Sequence, residues 1–206
     1  NIADFVIAVA SFWMVGYGLM FGASKFGLIG TDNFFVSNDD PWNISIFVFQ
    51  AVFCGTAATI NSGAIAGRTK FVDYLLISVF ISIFIYPIFG HWVWGGGWLS
   101  EMNFRDFAGS SVVHSIGAWV ALAGIIVIGP RMNRFTKDGK PRKLPPHSIL
   151  MSYLGTIILF FGWFGFNCGS TLAASKSIAA IAANTMLAGC FGGVSTTFLS
   201  WKMGHL

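Results

Sequence analysis

Charge is what this chain of 206 residues has least of: Asp, Glu, Lys and Arg together make up 10% of it, where a soluble domain carries about 25%. A surface that faces water cannot be built from so few ionic groups, which excludes an ordinary soluble globular protein. Cysteine is scarce too. Cys54, Cys168 and Cys190 all fall in apolar stretches and none sits in a C-x-x-C or other ligand spacing. They predict neither a metal centre nor a disulfide, but three small buried packing residues. No spacing calls for a cofactor, and nothing reads as a strand or a soluble domain. The chain opens at Asn1 without an initial Met or a basic leader, and its first apolar stretch is longer than a signal-peptide core. The natural N-terminus is therefore expected upstream. Asn43-Ile44-Ser45 fits the glycosylation triplet, a pattern too common by chance to argue from.

Apolar residues fill the space that charge leaves. They make up 55% of the chain, at a mean hydropathy of +0.71, and include 22 Phe and 8 Trp beside 25 Gly. Such a composition fits a lipid-facing exterior with small residues where helices touch. A helix rises about 1.5 Å per residue and must cross about 30 Å of hydrocarbon, so a span needs about 20 mostly apolar residues. Six segments qualify: residues 5–22, 44–67, 72–94, 107–129, 148–167 and 178–199. The loops between them, 25–43, 68–71, 95–106, 130–147 and 168–177, hold the turn and charge residues. The pairs Gly18/Gly22, Gly63/Gly67, Gly165/Gly169 and Gly189/Gly193 predict close helix contacts. The fold class is all-α, a polytopic membrane bundle surrounded by lipid.

The net charge of +4 would suit a nucleic-acid partner if it lay on one face, but it lies in loops and reads as a topology signal. One side carries Arg68, Lys70, Arg131, Arg134, Lys137, Lys140, Arg142, Lys143 and Lys202; the other carries Lys25, Arg105 and Lys176. The positive-inside rule places the 131–143 loop in the cytoplasm, with Asn1 on the same side. Asp32, Asp39, Asp40, Glu101 and Asp106 then fall on the outer side and make it mildly attractive to cations.

An ionisable group inside a membrane needs a reason. His114 lies eight residues beyond Asp106, about 12 Å along a helix axis, and either hydrogen-bonds across helices or serves function. His91, His147 and His205 sit near span ends and read as interfacial. Asp106 precedes the fourth span, where a carboxylate caps free backbone N–H groups; it also puts negative charge near the outer surface. His91-Trp92-Val93-Trp94-Gly95-Gly96-Gly97 closes the third span. Its Trp anchors at the interface and can hold a small cation on its face. The three glycines predict backbone packed tightly against a neighbour. Phe49, Phe53, Phe164 and Phe166 stand on spans able to face one another, as many of the other Phe residues do.

Asp106-Phe-Ala-Gly-Ser-Ser-Val-Val-His114, continuing to Gly129-Pro130-Arg131, resembles the signature of the ammonium transporter family, which includes the yeast methylammonium permeases and the Rh glycoproteins. The run from His91 to Gly97, Phe161-Gly-Trp-Phe-Gly-Phe-Asn-Cys-Gly-Ser170, Phe49-Gln-Ala-Val-Phe-Cys54 and Ser62-Gly-Ala-Ile-Ala66 follow the family's order. The resemblance covers residues 1–206 as one membrane domain, the second to seventh of the family's eleven spans, with the first span and the C-terminal half missing. The family's second span starts in the cytoplasm, in agreement with the charge count.

The resemblance implies roles. Trp94, Phe53 and Ser170 would recruit ammonium at an outer vestibule that Asp106 supports. Phe53 and Phe166 would be the stacked rings closing the pore, with Phe49 beside them, and His114 the first of twin pore histidines. It implies transport of ammonium or ammonia without enzymatic catalysis, a homotrimer, and a plasma or bacterial inner membrane. Regulation would come from a cytoplasmic protein or a fused signalling domain. Ammonium can shed a proton and potassium cannot, so a narrow apolar pore below a cation-binding vestibule discriminates between them.

Two positions depart from the family pattern: Gly67 stands where a Glu commonly precedes the Arg, here Arg68, and Asn61 replaces an apolar residue. They keep open an ammonium sensor with little transport. An intramembrane serine protease using Ser62 and His114 would need the two at one depth, which their positions do not give. A haem protein would need a second deep histidine.

Overall fold

The computed structural model describes residues 1–37 and 40–204. Asp39 and His205, assigned above to the outer and inner faces, lie outside the described residues. Among the described residues six helices are long and apolar enough to cross a membrane. We label the helices α1 (Ile2–Phe21), α2 (Pro41–Ile65), α3 (residues 71–93), α4 (Trp98–Glu101, a single turn), α5 (Ser110–Ile128), α6 (Ile149–Gly169) and α7 (Ser177–Lys202). Every predicted span end falls within three residues of an observed one. An apolar run of this length has no other way to satisfy its backbone in lipid.

The helix ends follow local chemistry. Asp40 accepts from the Trp42 N–H at 3.0 Å, with Pro41 supplying a first-turn residue that has no N–H to satisfy. Ser148 caps α6 by accepting from Met151 N. At the other end of α5, Gly129 turns out of the helix with φ +79°, a conformation that favours glycine.

Contacts divide the chain into two units, Asn1–Lys143 and Leu144–Leu206. In the first, α2 packs along both α1 and α5, and α3 lies against α1. Phe12, Tyr17, Met20, Ile81, Tyr86, Val112 and Val113 are buried. Because lipid is as apolar as these side chains, interlocking shape matters more than escape from water. Phe12 meets Tyr17 and Tyr86 edge-on at 5.9 and 5.7 Å between ring centres. Several buried polar groups are paired: Tyr86 OH donates to Gln50 Oε1 at 2.8 Å, and the Asp4 carboxylate accepts from Thr59 Oγ1 and Tyr74 OH. At the basic end two arginines close the α2/α5 contact reciprocally. Arg68 donates to the Gly129 carbonyl, and Arg131 donates to those of Gly63 and Ala66. In the second unit α6 and α7 pack on each other, with Asn167 Nδ2 donating to Thr185 Oγ1 at 2.9 Å and Gly189 beneath the Phe160 ring.

Three spans contain a widened, π-helical turn, at Phe12–Gly16, Ile81–Ile85 and Ser110–Ser115. The second has a local cause: Pro87 has no N–H to offer Ile83, and its ring would collide with that carbonyl. The first two meet where Gly16 lies so near the Ser82 carbonyl that a Cβ would come within 2.3 Å of it.

The structure corrects several expectations. Ser24–Lys25 and Ile29–Gly30 pair as short antiparallel strands, β1 and β2, too brief to show a period-two pattern. Of the cysteines Cys54 is buried, whereas Cys168 is half-buried, its thiol 3.9 Å from the Ile178 carbonyl of α7, and Cys190 is exposed. Gly63, Gly67, Gly165 and Gly193 have nothing within contact of a Cβ among the described residues, and Gly18 and Gly22 pack against the Asp32 backbone instead of a helix. Close helix contacts come from Gly55 under Phe5, Gly117 against Ile60 and, alone of the predicted pairs among the described residues, Gly189 under Phe160. His91, near its span end, is fully buried because β1 and the end of α1 fold over it: Met20 O lies 2.8 Å from Nδ1 and Ser24 Oγ 2.9 Å from Nε2.

Candidate functional site

The site begins where α3 ends. Trp94 terminates the helix, and the chain must then turn sharply between α1 and the β1–β2 loop. A Cβ on Gly95 would lie 1.9 Å from the Met20 carbonyl, and one on Gly97 would lie 2.7 Å from that of Gly27. Gly96 adopts φ +77°. Gly95 and Gly97 thus do what the sequence predicts, letting backbone lie against backbone, whereas Gly96 faces open space and serves the turn through its positive φ. The Gly27 carbonyl also accepts from Trp98 N at 3.0 Å.

The turn fixes the indole of Trp94. Its Nε1 donates to the main-chain carbonyl of Asp106 at 2.7 Å, and its ring stands 6.2 Å from that of Phe53 at an interplanar angle of 50°. Phe53 is buried and in turn meets Phe49 at 4.5 Å. The i, i+4 spacing of the two Phe residues puts them on one face of α2. An aromatic surface with its negative faces gathered in this way suits a small cation.

Asp106 is the hub. Its Oδ1 accepts from the N–H groups of Gly109 and Ser110 at 2.7 and 2.9 Å, and its Oδ2 from those of Ser111 and Val112 at 2.7 and 2.9 Å. One carboxylate thereby satisfies donors that a helix start otherwise leaves open, and its charge faces the positive end of the dipole. Gly109 completes the device at φ +97°. The helix accordingly starts at Ser110, three residues later than predicted. His114 then lies four residues beyond the helix start, no more than about 6 Å along the axis, instead of the 12 Å measured from Asp106.

His114 occupies the widened turn itself. Its backbone N–H reaches five residues back to Gly109 O at 2.9 Å, and its Nδ1 lies 3.1 Å from the same oxygen. A carbonyl can only accept, so Nδ1 carries a proton, and the tautomer with that single proton would present its lone pair on Nε2. π turns of this kind gather at functional positions. The ring is half-buried.

Phe49, Phe53, Trp94, Asp106 and His114 thus form one connected set in the first unit. Phe166 and Ser170 belong to the second. There Ser170 follows the last turn of α6, its Oγ donating to Phe166 O at 2.8 Å. Sequence reasoning missed the Ser24–His91–Met20 network and the Asp4–Thr59–Tyr74 cluster; a buried Asp in the first apolar run was the available signal for the latter.

At the level of families, residues 1–206 match the Ammonium Transporter Family. Among curated proteins the chain is 45% identical to ammonium transporter Amt2 of Archaeoglobus fulgidus over 98% of its own length and 46% of the relative's. It is 36% identical to ammonium transporter 1 member 2 of Arabidopsis thaliana over 96% of its length and 44% of the relative's. Among solved structures it resembles one described as a sensor Amt protein, at 45% identity and a TM-score of 0.93, covering 98% of this chain and 53% of that one. It also resembles a Mep2 mutant of Candida albicans at 28% identity and a TM-score of 0.86, covering 98% and 46%. The chain spans about half the length of the relatives it matches.

Proposed function

The chain belongs to the ammonium transporter family, and from that premise we propose that it supplies the outer recruitment site and the upper pore of an ammonium-conducting membrane protein. The observation that carries this is the unbroken set of contacts from Phe53 to Trp94, from Trp94 to Asp106, and from Asp106 to the turn that bears His114. Ammonium would rest against the Trp94 and Phe53 rings, with the Ser170 hydroxyl as acceptor. Phe53 and Phe166 would gate the passage, with Phe49 beside them. His114 Nε2 would then meet the amine, accepting a hydrogen bond or taking the proton that potassium cannot give up. Asp106 has both carboxylate oxygens committed to backbone N–H groups, so its part is to hold Trp94 and His114 in place.

The charge asymmetry supports an orientation with the 131–143 loop in the cytoplasm, in a plasma or bacterial inner membrane. The family resemblance supports a homotrimer with one pore in each subunit. The direct test is methylammonium uptake, or ammonium-dependent current, in liposomes holding the full-length protein. Absence of both would overturn transport.

A second reading rests on the likeness to a structure described as a sensor Amt protein, together with Asn61 and Gly67, which depart from the transporter pattern. In that case ammonium binds and is reported to a signalling module, with little passing through. Retained ammonium binding without flux would select it.

A further inference from the structure

At the basic end of the first unit, beside the α2/α5 contact, lies a groove of about 840 Å³. Its mouth is formed by Arg68, Thr69, Lys70 and Asp73, and its length by Leu76, Phe80, Ile85, Val120 and Val127. A charged mouth and an apolar length match the two parts of an amphiphile.

Three observations point to an occupant. Asn61, 1% exposed, lines the groove with both Nδ2 and Oδ1 unpartnered, and the Thr69 hydroxyl there is unpartnered too. An unpaired buried polar group costs about 1–3 kcal/mol, and hydrocarbon alone offers it nothing. The helix α3 starts at the mouth without a side-chain cap from Lys70, so the positive end of its dipole and its first N–H groups lie open to an anion. Among the described residues neither Lys70 nor Asp73 takes part in an ion pair.

We propose that this groove binds one inner-leaflet glycerophospholipid with an amine-bearing headgroup. The phosphate sits against Arg68, Lys70 and the start of α3, the ammonium against Asp73, and one acyl chain runs along Leu76, Phe80 and Ile85. Depth agrees. Asn61 lies four residues before the end of α2 at Ile65, about 6 Å along the axis, at the inner limit of an interfacial layer of roughly 5–7 Å. Its Nδ2 there donates to an ester carbonyl. The leaflet assignment rests on the orientation proposed above; the site itself is independent of conduction.

The test compares phosphatidylethanolamine with phosphatidylcholine of the same acyl chains, added to the full-length protein and read by native mass spectrometry. Phosphatidylethanolamine is expected to stay bound at several-fold lower lipid concentration, because only its primary ammonium can hydrogen-bond Asp73. Asp73→Asn is expected to erase that preference, and Asn61→Leu to weaken both lipids. Equal retention of the two lipids, a preference unchanged in Asp73→Asn, or a segment of the full-length chain filling the groove would each overturn the proposal. Methylammonium uptake by the same variants separates the two claims, since none of these residues belongs to the proposed recruitment site or pore.

Discussion

The indole nitrogen of Trp94 donates to the main-chain oxygen of Asp106, whose carboxylate accepts four backbone N–H groups at the start of α5. A carboxylate placed like a cation ligand is thus committed to holding two other residues. Asp106→Asn would turn an N–H donor toward donors that need an acceptor. The expected result is a loss of roughly 1–3 kcal/mol of stability together with reduced uptake. A thermal unfolding scan and a flux assay on the same preparation check it; unchanged unfolding would contradict the capping role.

Trp94→Leu keeps a smaller apolar side chain and removes the quadrupole together with the Nε1 donor to Asp106. A cation–π contact of about 1 kcal/mol corresponds to roughly a five-fold rise in the methylammonium concentration giving half-maximal uptake. A saturation curve reads this directly.

His114→Lys replaces the lone pair on Nε2 with a positive charge inside the proposed passage. Uptake is expected to fall to the level of empty liposomes, with a thermal unfolding scan on the same preparation checking that the variant still folds. Flux equal to wild type would remove His114 from the pore.

Gly95→Ala and Gly96→Ala differ by one position and not in degree. The first puts a Cβ at 1.9 Å from the Met20 carbonyl, whereas the second meets open space at φ +77°. Gly96→Ala should cost about 1–2 kcal/mol of left-handed strain, and Gly95→Ala should give little folded protein. Yield after size-exclusion chromatography tells them apart.

Arg131 forks across the end of α2 onto Gly63 O and Ala66 O, at 2.7 and 3.0 Å. Arg131→Lys retains the charge and loses the fork, so it is expected to behave more like Arg131→Ala than like wild type in unfolding measurements.

The six spans were legible because a crossing helix announces itself by composition alone, and the Asp106 to His114 run carried the family resemblance in its residues. What stayed hidden depends on partners distant in the chain. His91 is buried by Ser24 and Met20, 67 and 71 residues away, and no local pattern marks it. The start of α5 depends on a carboxylate that skips the turn at Gly109, so apolar periodicity alone placed the helix too early. The glycine pairs misled for the same reason: spacing gives a face, and only the fold says what covers it.

Each widened turn carries one residue more than an α-helical turn would. Successive residues in an α-helix are about 100° apart, so everything beyond such a turn is rotated by that angle from where simple counting would put it. In α3 the turn at Ile81–Ile85 precedes both His91 and Trp94. Deleting one residue there would restore the regular ladder yet swing the indole a quarter of the way round the helix, away from Phe53. Chimaeras that exchange this span between relatives must therefore conserve its residue count as strictly as its side chains.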